Sequence, residues 1–360
     1  MSWQDVLGHD AQIDRFRRNL ANGRLASTFL FVGPTGIGKH LFALKLTQAL
    51  FCEVNPEVAC DPCGTCPSCQ QVMSDTHPDL HTVGLLPNKN LLVVPQFTGG
   101  IEPGINQEFR GACYEINLKP VAARRKVLII DDADYFHPSA TSKLLKTLEE
   151  PPANAVIILI GTSSSQQKDT ILSRCQIVPF NPLSVENIQQ ILVQQELVQD
   201  TQQALELAMI SNGSVGFARQ ILEQDLLEVR REFLRILPGL PNHPEKICSL
   251  VNEFVKRAST RSEKGDQLDF LASIVIDCFH QVLLILSHRQ SVSDQAMRDA
   301  SQQILENWPG DSETVIACID RTADLKSHLL RFANITTVTE AWVDDLSQIW
   351  LSAGFKLPTP

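Results

Sequence analysis

The segment 33–40 constrains the fold of this chain more than any other part of its sequence, and it reads GPTGIGKH. It fits the glycine-rich phosphate-binding loop (P-loop) at every position except the last. An apolar run over 28–32 precedes it, and a helical pattern over 39–51 follows it. In that setting the backbone N–H groups of the loop and the N-terminus of the helix form a cradle for phosphate groups. We therefore predict a P-loop fold.

The last position of the loop and two later aspartates predict a nucleotide site with impaired hydrolysis. His40 stands where Ser or Thr offers a hydroxyl to Mg²⁺, and a neutral imidazole is a poor ligand for that hard cation. Asp131 follows the apolar run 126–130 and is placed to hold the ion, as in a Walker B element. Asp132 replaces a water-polarising glutamate with a shorter side chain, and a misplaced base is costly in rate.

The pattern leaves binding of ATP or ADP open and predicts that hydrolysis is lost. The candidate nucleotide-binding residues are Gly33, Pro34, Thr35, Gly36, Ile37, Gly38, Lys39, His40, Asp131 and Asp132.

The wider pattern of apolar residues predicts an α/β domain followed by helices. Continuous apolar runs are typical of parallel strands that are covered on both faces. These runs lie at 28–32, 126–130, 155–160 and 176–180. The predicted domains are an α/β P-loop domain with a parallel sheet over 1–180, a small helical lid over 181–224 and an all-α domain over 225–360. The segment 85–118, rich in Gly, Pro and Asn, matches none of these patterns.

Composition excludes several classes of protein. The formal net charge is −10, whereas a protein that wraps nucleic acid by itself is normally basic. The N-terminus lacks the basic start and apolar stretch of a signal peptide. The longest apolar run, 268–286, is interrupted by Asp269, Asp277 and His280, which predicts a buried helix and no membrane span. We expect a cytoplasmic protein.

Five of the ten cysteines fall between residues 52 and 69, which is typical of a metal site in a reducing compartment. Four thiolates suit tetrahedral Zn²⁺ in a closed structural site, and the spacing differs from that of ferredoxin-type iron–sulfur ligands. The fourth ligand is either Cys52 or Cys60. Cys52 is favoured because Cys60 would crowd all four sulfurs into one short loop. The candidate zinc ligands are Cys52, Cys63, Cys66 and Cys69.

Six motifs follow the P-loop strand in a characteristic order. They are the P-loop, the cysteine cluster, His77-Pro-Asp-Leu80, the Walker B aspartates, LLKTLEEPP at 144–152 and TILSRC at 170–175. This order resembles that of bacterial clamp-loader subunits of the AAA+ superfamily, and LRFANI at 330–335 resembles their C-terminal domain. The resemblance implies an AAA+ module, a helical lid and a helical collar that joins a ring of five subunits. It implies gamma/tau and delta subunits as partners, and the sliding clamp and primer-template DNA through the complex.

Two kinds of subunit in that family share these motifs, namely the ATP-hydrolysing motor (gamma/tau) and the stator (delta-prime). The motor has Thr after the P-loop lysine, Glu in Walker B and Gly-Ser-x-Arg on the lid. This chain has His40, Asp132 and Gly216 at those three points. The resemblance therefore implies the stator type, and the length fits a chain that ends with the collar. The alternatives are an active ATPase of the motor type and a P-loop nucleotide kinase, although no basic lid for a second phosphorylated substrate is evident.

The resemblance also implies a role for Arg174 in the segment Ser173-Arg174-Cys175. In the family this arginine reaches as a finger into the nucleotide site of a neighbouring subunit. A planar guanidinium can neutralise the phosphate charge that develops during transfer. We therefore expect Arg174 to act in trans, on a nucleotide that another chain holds.

Overall fold

The computed structural model of the protein describes residues 3–86, 89–101, 108–258, 261–289, 294–308, 310–329 and 334–354. The chain consists of two compact units, Met1–Phe217 and Ala218–Pro360. Most of the segment 330–335, and parts of the unassigned segment 85–118, lie outside the described residues.

A five-stranded sheet forms the centre of the first unit. The strands of this unit are β1 (Thr28–Val32), β2 (Leu80–Val83), β3 (Gly100–Ile101), β4 (Glu108–Phe109), β5 (Lys126–Ile130), β6 (Ala155–Gly161) and β7 (Gln176–Pro179). The main sheet has the order β2-β5-β6-β1-β7 with every pair parallel, and β3 and β4 form a separate antiparallel pair. The predicted fold class, an α/β P-loop domain followed by helices, is confirmed.

Helices connect the strands and cover the sheet. They are α1 (Asp10–Ala21), α2 (Lys39–Phe51), α3 (Pro67–Met73), α4 (Val94–Thr98), α5 (Ala112–Asn117), α6 (Pro138–Glu149), α7 (Asp169–Leu172), α8 (Val185–Gln194), α9 (Thr201–Ile210) and α10 (Val215–Glu223). The segment 85–118, which had no predicted structure, contributes α4, β3, β4 and α5.

The strand before the P-loop is apolar at every position because both faces of the sheet are buried. Side chains alternate between the faces of a strand. Phe29 and Phe31 of β1 pack on one face with Phe16 of α1, at ring-centroid distances of 5.0 and 6.0 Å. Leu30 points to the cluster on the opposite face, to which α6 contributes Leu144. The continuous apolar run is therefore typical of a central strand, which is buried on both faces.

The second unit is helical throughout its described residues. Its further helices are α11 (Leu226–Ile236), α12 (Pro244–Lys256), α13 (Arg261–Leu286), α14 (Gln295–Glu306), α15 (Ser312–Leu329) and α16 (Ile335–Ser352). Within α13, Glu263–Leu286 is long and apolar enough to cross a membrane by length and composition, and half of that stretch is buried inside the protein. Leu271, Val275 and Phe279 of α13 are completely buried. A core helix of a soluble protein has the same composition.

Candidate nucleotide site, Arg174 and cysteine cluster

The P-loop lies at the carboxyl end of β1, where open parallel sheets bind their ligands. Gly38 has a φ of 98°, which favours glycine, and α2 begins at the next residue, Lys39. Lys39 is only 6% exposed, and its Nζ donates to the carbonyl oxygens of Gly33 and Pro34. Burial lowers the pKa of Lys39. The lysine is thus held inside the loop by the loop's own carbonyl groups.

His40 and Asp131 are in close contact beside the P-loop. Nδ1 of His40 lies 2.8 Å from Oδ2 of Asp131. The contact with Asp131 raises the pKa of His40 and outweighs the opposite effect of burial. A protonated imidazole competes with a divalent cation for this carboxylate because both carry positive charge.

The carboxylate of Asp132 is engaged by the neighbouring backbone. Its Oδ2 accepts a hydrogen bond of 3.3 Å from the backbone N–H of Leu85, which follows β2. Asp132 also has a φ of 55°, a left-handed conformation that is uncommon outside glycine. Burial raises the pKa of Asp132. The side chain therefore contributes to joining the ends of two adjacent strands.

The start of α10 lies directly against the P-loop, a contact that no sequence pattern predicted. The hydroxyl of Ser214 donates to the carbonyl oxygen of Thr35 at 2.9 Å. The N–H of Gly216 donates to the carbonyl oxygen of Gly36 at 3.0 Å. A Cβ atom on Gly216 would lie 2.8 Å from the Cα atom of Gly36. A side chain at position 216 is therefore incompatible with this contact.

Two further polar residues support the site, and sequence reasoning missed their roles. Nε2 of His9 is completely buried and lies 2.8 Å from the carbonyl oxygen of Ile37. Burial lowers the pKa of His9, so its ring is neutral at neutral pH and donates to this carbonyl. Asp134 accepts a 2.7 Å hydrogen bond from the N–H of Thr162, just after β6. The partners are distant in sequence, so no local pattern marks these residues.

Arg174 lies at the amino end of the parallel strands, whereas the P-loop lies at their carboxyl end. It precedes β7, which is parallel to β1, and its carbonyl oxygen accepts a hydrogen bond from the hydroxyl of Thr28, the first residue of β1. The P-loop follows the last residue of β1, so a strand of five residues separates the two sites, a length of roughly 15 Å. In this fold Arg174 is remote from the phosphate cradle of its own chain.

The structure brings together the four cysteines chosen as zinc ligands. The Sγ atoms of Cys52, Cys63, Cys66 and Cys69 all lie within 4.8 Å of one another, and those of Cys63 and Cys69 are 4.0 Å apart. Sulfurs bound about 2.3 Å from a central zinc ion would be roughly 3.8 Å apart. The arrangement thus has the dimensions of a tetrahedral site.

Backbone N–H groups surround these sulfurs. Cys52 accepts from the N–H of Asn55 at 3.3 Å, and Cys63 accepts from the N–H groups of Thr65 and Cys66 at 3.5 and 3.3 Å. The hydrogen bond from Thr65 is the main reason that the pKa of Cys63 is lowered, to about 6. Such donors stabilise thiolates, which is the form that binds metal.

Cys60 stands apart from this cluster. Its side chain is completely buried in the main core, and its carbonyl oxygen accepts a 2.7 Å hydrogen bond from the indole of Trp3. Burial raises the pKa of Cys60 to about 12. Its environment is that of a small core residue, and its sulfur does not join the four-cysteine group.

Comparison with known proteins shows similarity to subunits of DNA polymerase III. A family model for the DNA polymerase III delta subunit matches residues 8–184. The chain is 29% identical to DNA polymerase III subunit delta' of Bacillus subtilis over 318 residues, which cover 84% of this chain and 89% of that protein. Subunit delta' of Haemophilus influenzae is 26% identical over 277 residues, covering 74% of this chain and 77% of that protein. A tau subunit of Salmonella typhimurium is 23% identical over 338 residues, which span 86% of this chain and only 48% of that protein. The sheet order, the P-loop and these matches are together consistent with a delta-prime subunit of DNA polymerase III.

Proposed function

We propose that this chain is the stator subunit of a bacterial clamp loader, which helps to load the sliding clamp onto primed DNA. The delta' relatives support the assignment to this complex. The observation that carries the stator role is the close contact of His40 with Asp131, the carboxylate that an active site offers to Mg²⁺. Two further contacts support the same conclusion, namely the hydrogen bond between Asp132 and Leu85 and the packing of Gly216 on Gly36.

In this proposal the chain assembles with gamma/tau and delta subunits in a five-subunit ring in the cytoplasm. Residues 1–180 supply the AAA+ module, residues 181–224 the lid, and residues 225–360 the collar through which the ring is held together. Contact with the clamp and with primer-template DNA occurs through the complex. The net charge of −10 supports this indirect role, because strong binding to DNA by the chain alone would require a basic surface.

The purified chain is expected to show no steady-state ATP turnover above background, with or without primed DNA. Position 40 offers no hydroxyl to Mg²⁺, and the imidazole of His40 lies against the carboxylate of Asp131. Phosphate release measured at saturating ATP tests this expectation.

DNA-stimulated turnover that disappears in Lys39→Ala would instead establish the second candidate, an active ATPase of the motor type. The intact Lys39 and the similarity to a tau subunit are the observations that favour that candidate. Transfer of phosphate from ATP to a second nucleotide would point to the third candidate, a nucleotide kinase.

We also propose that Cys52, Cys63, Cys66 and Cys69 hold a structural zinc ion. When bound, the ion would cross-link the end of α2 to α3 and the loop before it. The distances among the sulfurs and the N–H donors around them support this site. No catalytic step depends on the ion, since four protein ligands leave no open position.

Metal analysis of single Cys→Ser variants tests the ligand set. Wild-type protein should contain about one zinc ion per chain, and substitution at any of the four clustered positions should abolish tight binding, because serine is a poor ligand for zinc. Cys60→Ser is the matched control and should retain the ion. Loss of zinc from Cys60→Ser together with its retention by Cys52→Ser would show that the ligand set is wrong.

A further inference from the structure

The guanidinium of Arg174 is held within its own chain by Glu149. Nε and Nη2 of Arg174 both donate to Oε1 of Glu149, the Nε bond being 3.0 Å long. Nη1 donates to the carbonyl oxygen of Thr170 at 2.8 Å and to the hydroxyl of Ser173 at 3.0 Å. A guanidinium has five N–H donors. Among the described residues, four of the five are therefore engaged, and one N–H of Nη2 remains.

The local sequence places Glu149 where it can make this contact. It is the last residue of α6, which Pro151 and Pro152 prevent from continuing. The end of α6 precedes β6 and Arg174 precedes β7, so both lie at the amino end of the parallel strands, opposite the P-loop. The side chains of Glu149 and Arg174 remain 49% and 30% exposed, so a neighbouring protein can reach them.

A carboxylate and a phosphate bind a guanidinium in the same way, through two parallel N–H groups. The Nε and Nη2 face of Arg174 is the face that Glu149 occupies. A neighbour's phosphate can therefore be gripped through that face only after Glu149 has moved away. Exposed ion pairs are weak, with an effect of roughly two- to five-fold on an equilibrium, so a more highly charged phosphate can displace the carboxylate.

We propose that Glu149 is a restraining residue for Arg174, one that competes with the nucleotide of the neighbouring subunit for the same guanidinium face. This inference rests on the proposed role of Arg174 in trans. In the free subunit the pair keeps the arginine folded against its own chain. In the ring, binding of ATP to the neighbour exchanges the carboxylate for phosphate, and part of the binding free energy is used to break the ion pair.

The test is the ATP dependence of turnover by the reconstituted complex carrying Glu149→Gln. The KM for ATP should fall roughly two- to five-fold, because a neutral amide competes poorly with phosphate. The kcat should stay unchanged, since Arg174 is already released once ATP is bound. The difference in KM should shrink at high salt, which screens exposed ion pairs. Glu150→Gln is the matched control, because it removes the same charge from the adjacent exposed residue and should leave KM at the wild-type value.

A double-mutant cycle separates this inference from the proposed function. In an Arg174→Ala background, Glu149→Gln should have no effect on KM. If Arg174→Ala alone leaves turnover unchanged, the role of Arg174 in trans is wrong. If Arg174→Ala lowers turnover while Glu149→Gln leaves KM unchanged, or matches Glu150→Gln, only the restraint is wrong. A fall in kcat for Glu149→Gln would also overturn the restraint, because it would show that Glu149 orients the arginine.

Discussion

Replacing Arg174 with alanine should lower ATP turnover at the neighbouring site of the reconstituted clamp loader by about 10³-fold, the lower end of the effect of a trans-acting arginine. The physical reason is the loss of a preorganised positive charge where negative charge shifts during phosphoryl transfer. Clamp loading should fall with turnover. The fold should survive, because the only ion pair lost among the described residues is the exposed one with Glu149. Single-turnover ATP hydrolysis and clamp loading, with size-exclusion chromatography of the complete ring, measure these effects.

Two further variants sharpen this experiment. Arg174→Lys should restore activity only in part, because an ammonium group lacks the planar fork that grips phosphate with two N–H groups. Arg17→Ala removes a comparable exposed arginine, which pairs with Asp14 on α1, and should leave turnover unchanged. Normal turnover in Arg174→Ala, or an equal loss in Arg17→Ala, would contradict the role of Arg174 in trans.

Replacing Arg230 with alanine should destabilise the second unit by about 3–5 kcal/mol, the usual cost of leaving a buried charge without its partner. Arg230 of α11 and Asp294 form two hydrogen bonds of 3.1 and 2.6 Å, and their side chains are only 5% and 6% exposed. Asp294 also caps α14 by accepting from the N–H of Met297 at 3.2 Å. Urea denaturation followed by circular dichroism measures the loss in the free energy of unfolding.

The pH dependence of this loss has a defined sign. Burial alone would raise the pKa of Asp294, but Arg230 outweighs it and lowers the pKa. In the wild type the stabilisation is therefore present above the ordinary aspartate pKa of about 3.9, and it is lost as the pH falls through the lowered value. In Arg230→Ala only backbone N–H groups still oppose burial, so the pKa of Asp294 rises relative to the wild type and less stability is lost as the pH falls. The difference in the free energy of unfolding between the wild type and Arg230→Ala should therefore become smaller at acidic pH.

Arg231→Ala is the matched control for this measurement. Arg231 neighbours Arg230 but forms an exposed pair with Glu228, so its removal should cost no more than about 1 kcal/mol. An equal loss of stability in both variants, or a difference that does not change with pH, would contradict the account of the buried pair.

The elements around the P-loop could be predicted from the sequence because their signals are local. The apolar run before the loop corresponds to β1, the run before Asp131 to β5, and the helical pattern over 39–51 to α2. Pro151 and Pro152 stand just after the end of α6, since a proline clashes with the preceding turn of a helix. The segment 85–118 could not be predicted because its helices are short, five and six residues long, and their apolar residues show no clear period.

The contacts that distinguish this site depend on residues that are far apart in the chain. Gly36 and Gly216 are separated by most of the first unit, and only the fold shows that their backbones meet. The residue that His40 contacts could not be predicted either. A histidine in the last position of the loop predicts a poor magnesium ligand, but it does not predict a contact with Asp131. The motif LLKTLEEPP likewise carries no sign that Glu149 binds Arg174.

By itself the sequence determined the fold class, the place of the phosphate loop and which side chains are present at its reactive positions. These properties follow from short-range patterns, namely apolar runs, glycine turns and proline stops, whose meaning does not depend on the rest of the chain. The tertiary structure decided what those side chains contact. It placed Cys60 in the core and the four clustered cysteines around one point. It also placed Arg174 at the end of the strands opposite its own P-loop. The physical reason is that pairing and burial depend on distances between residues remote in sequence, and these exist only once the sheet order is set.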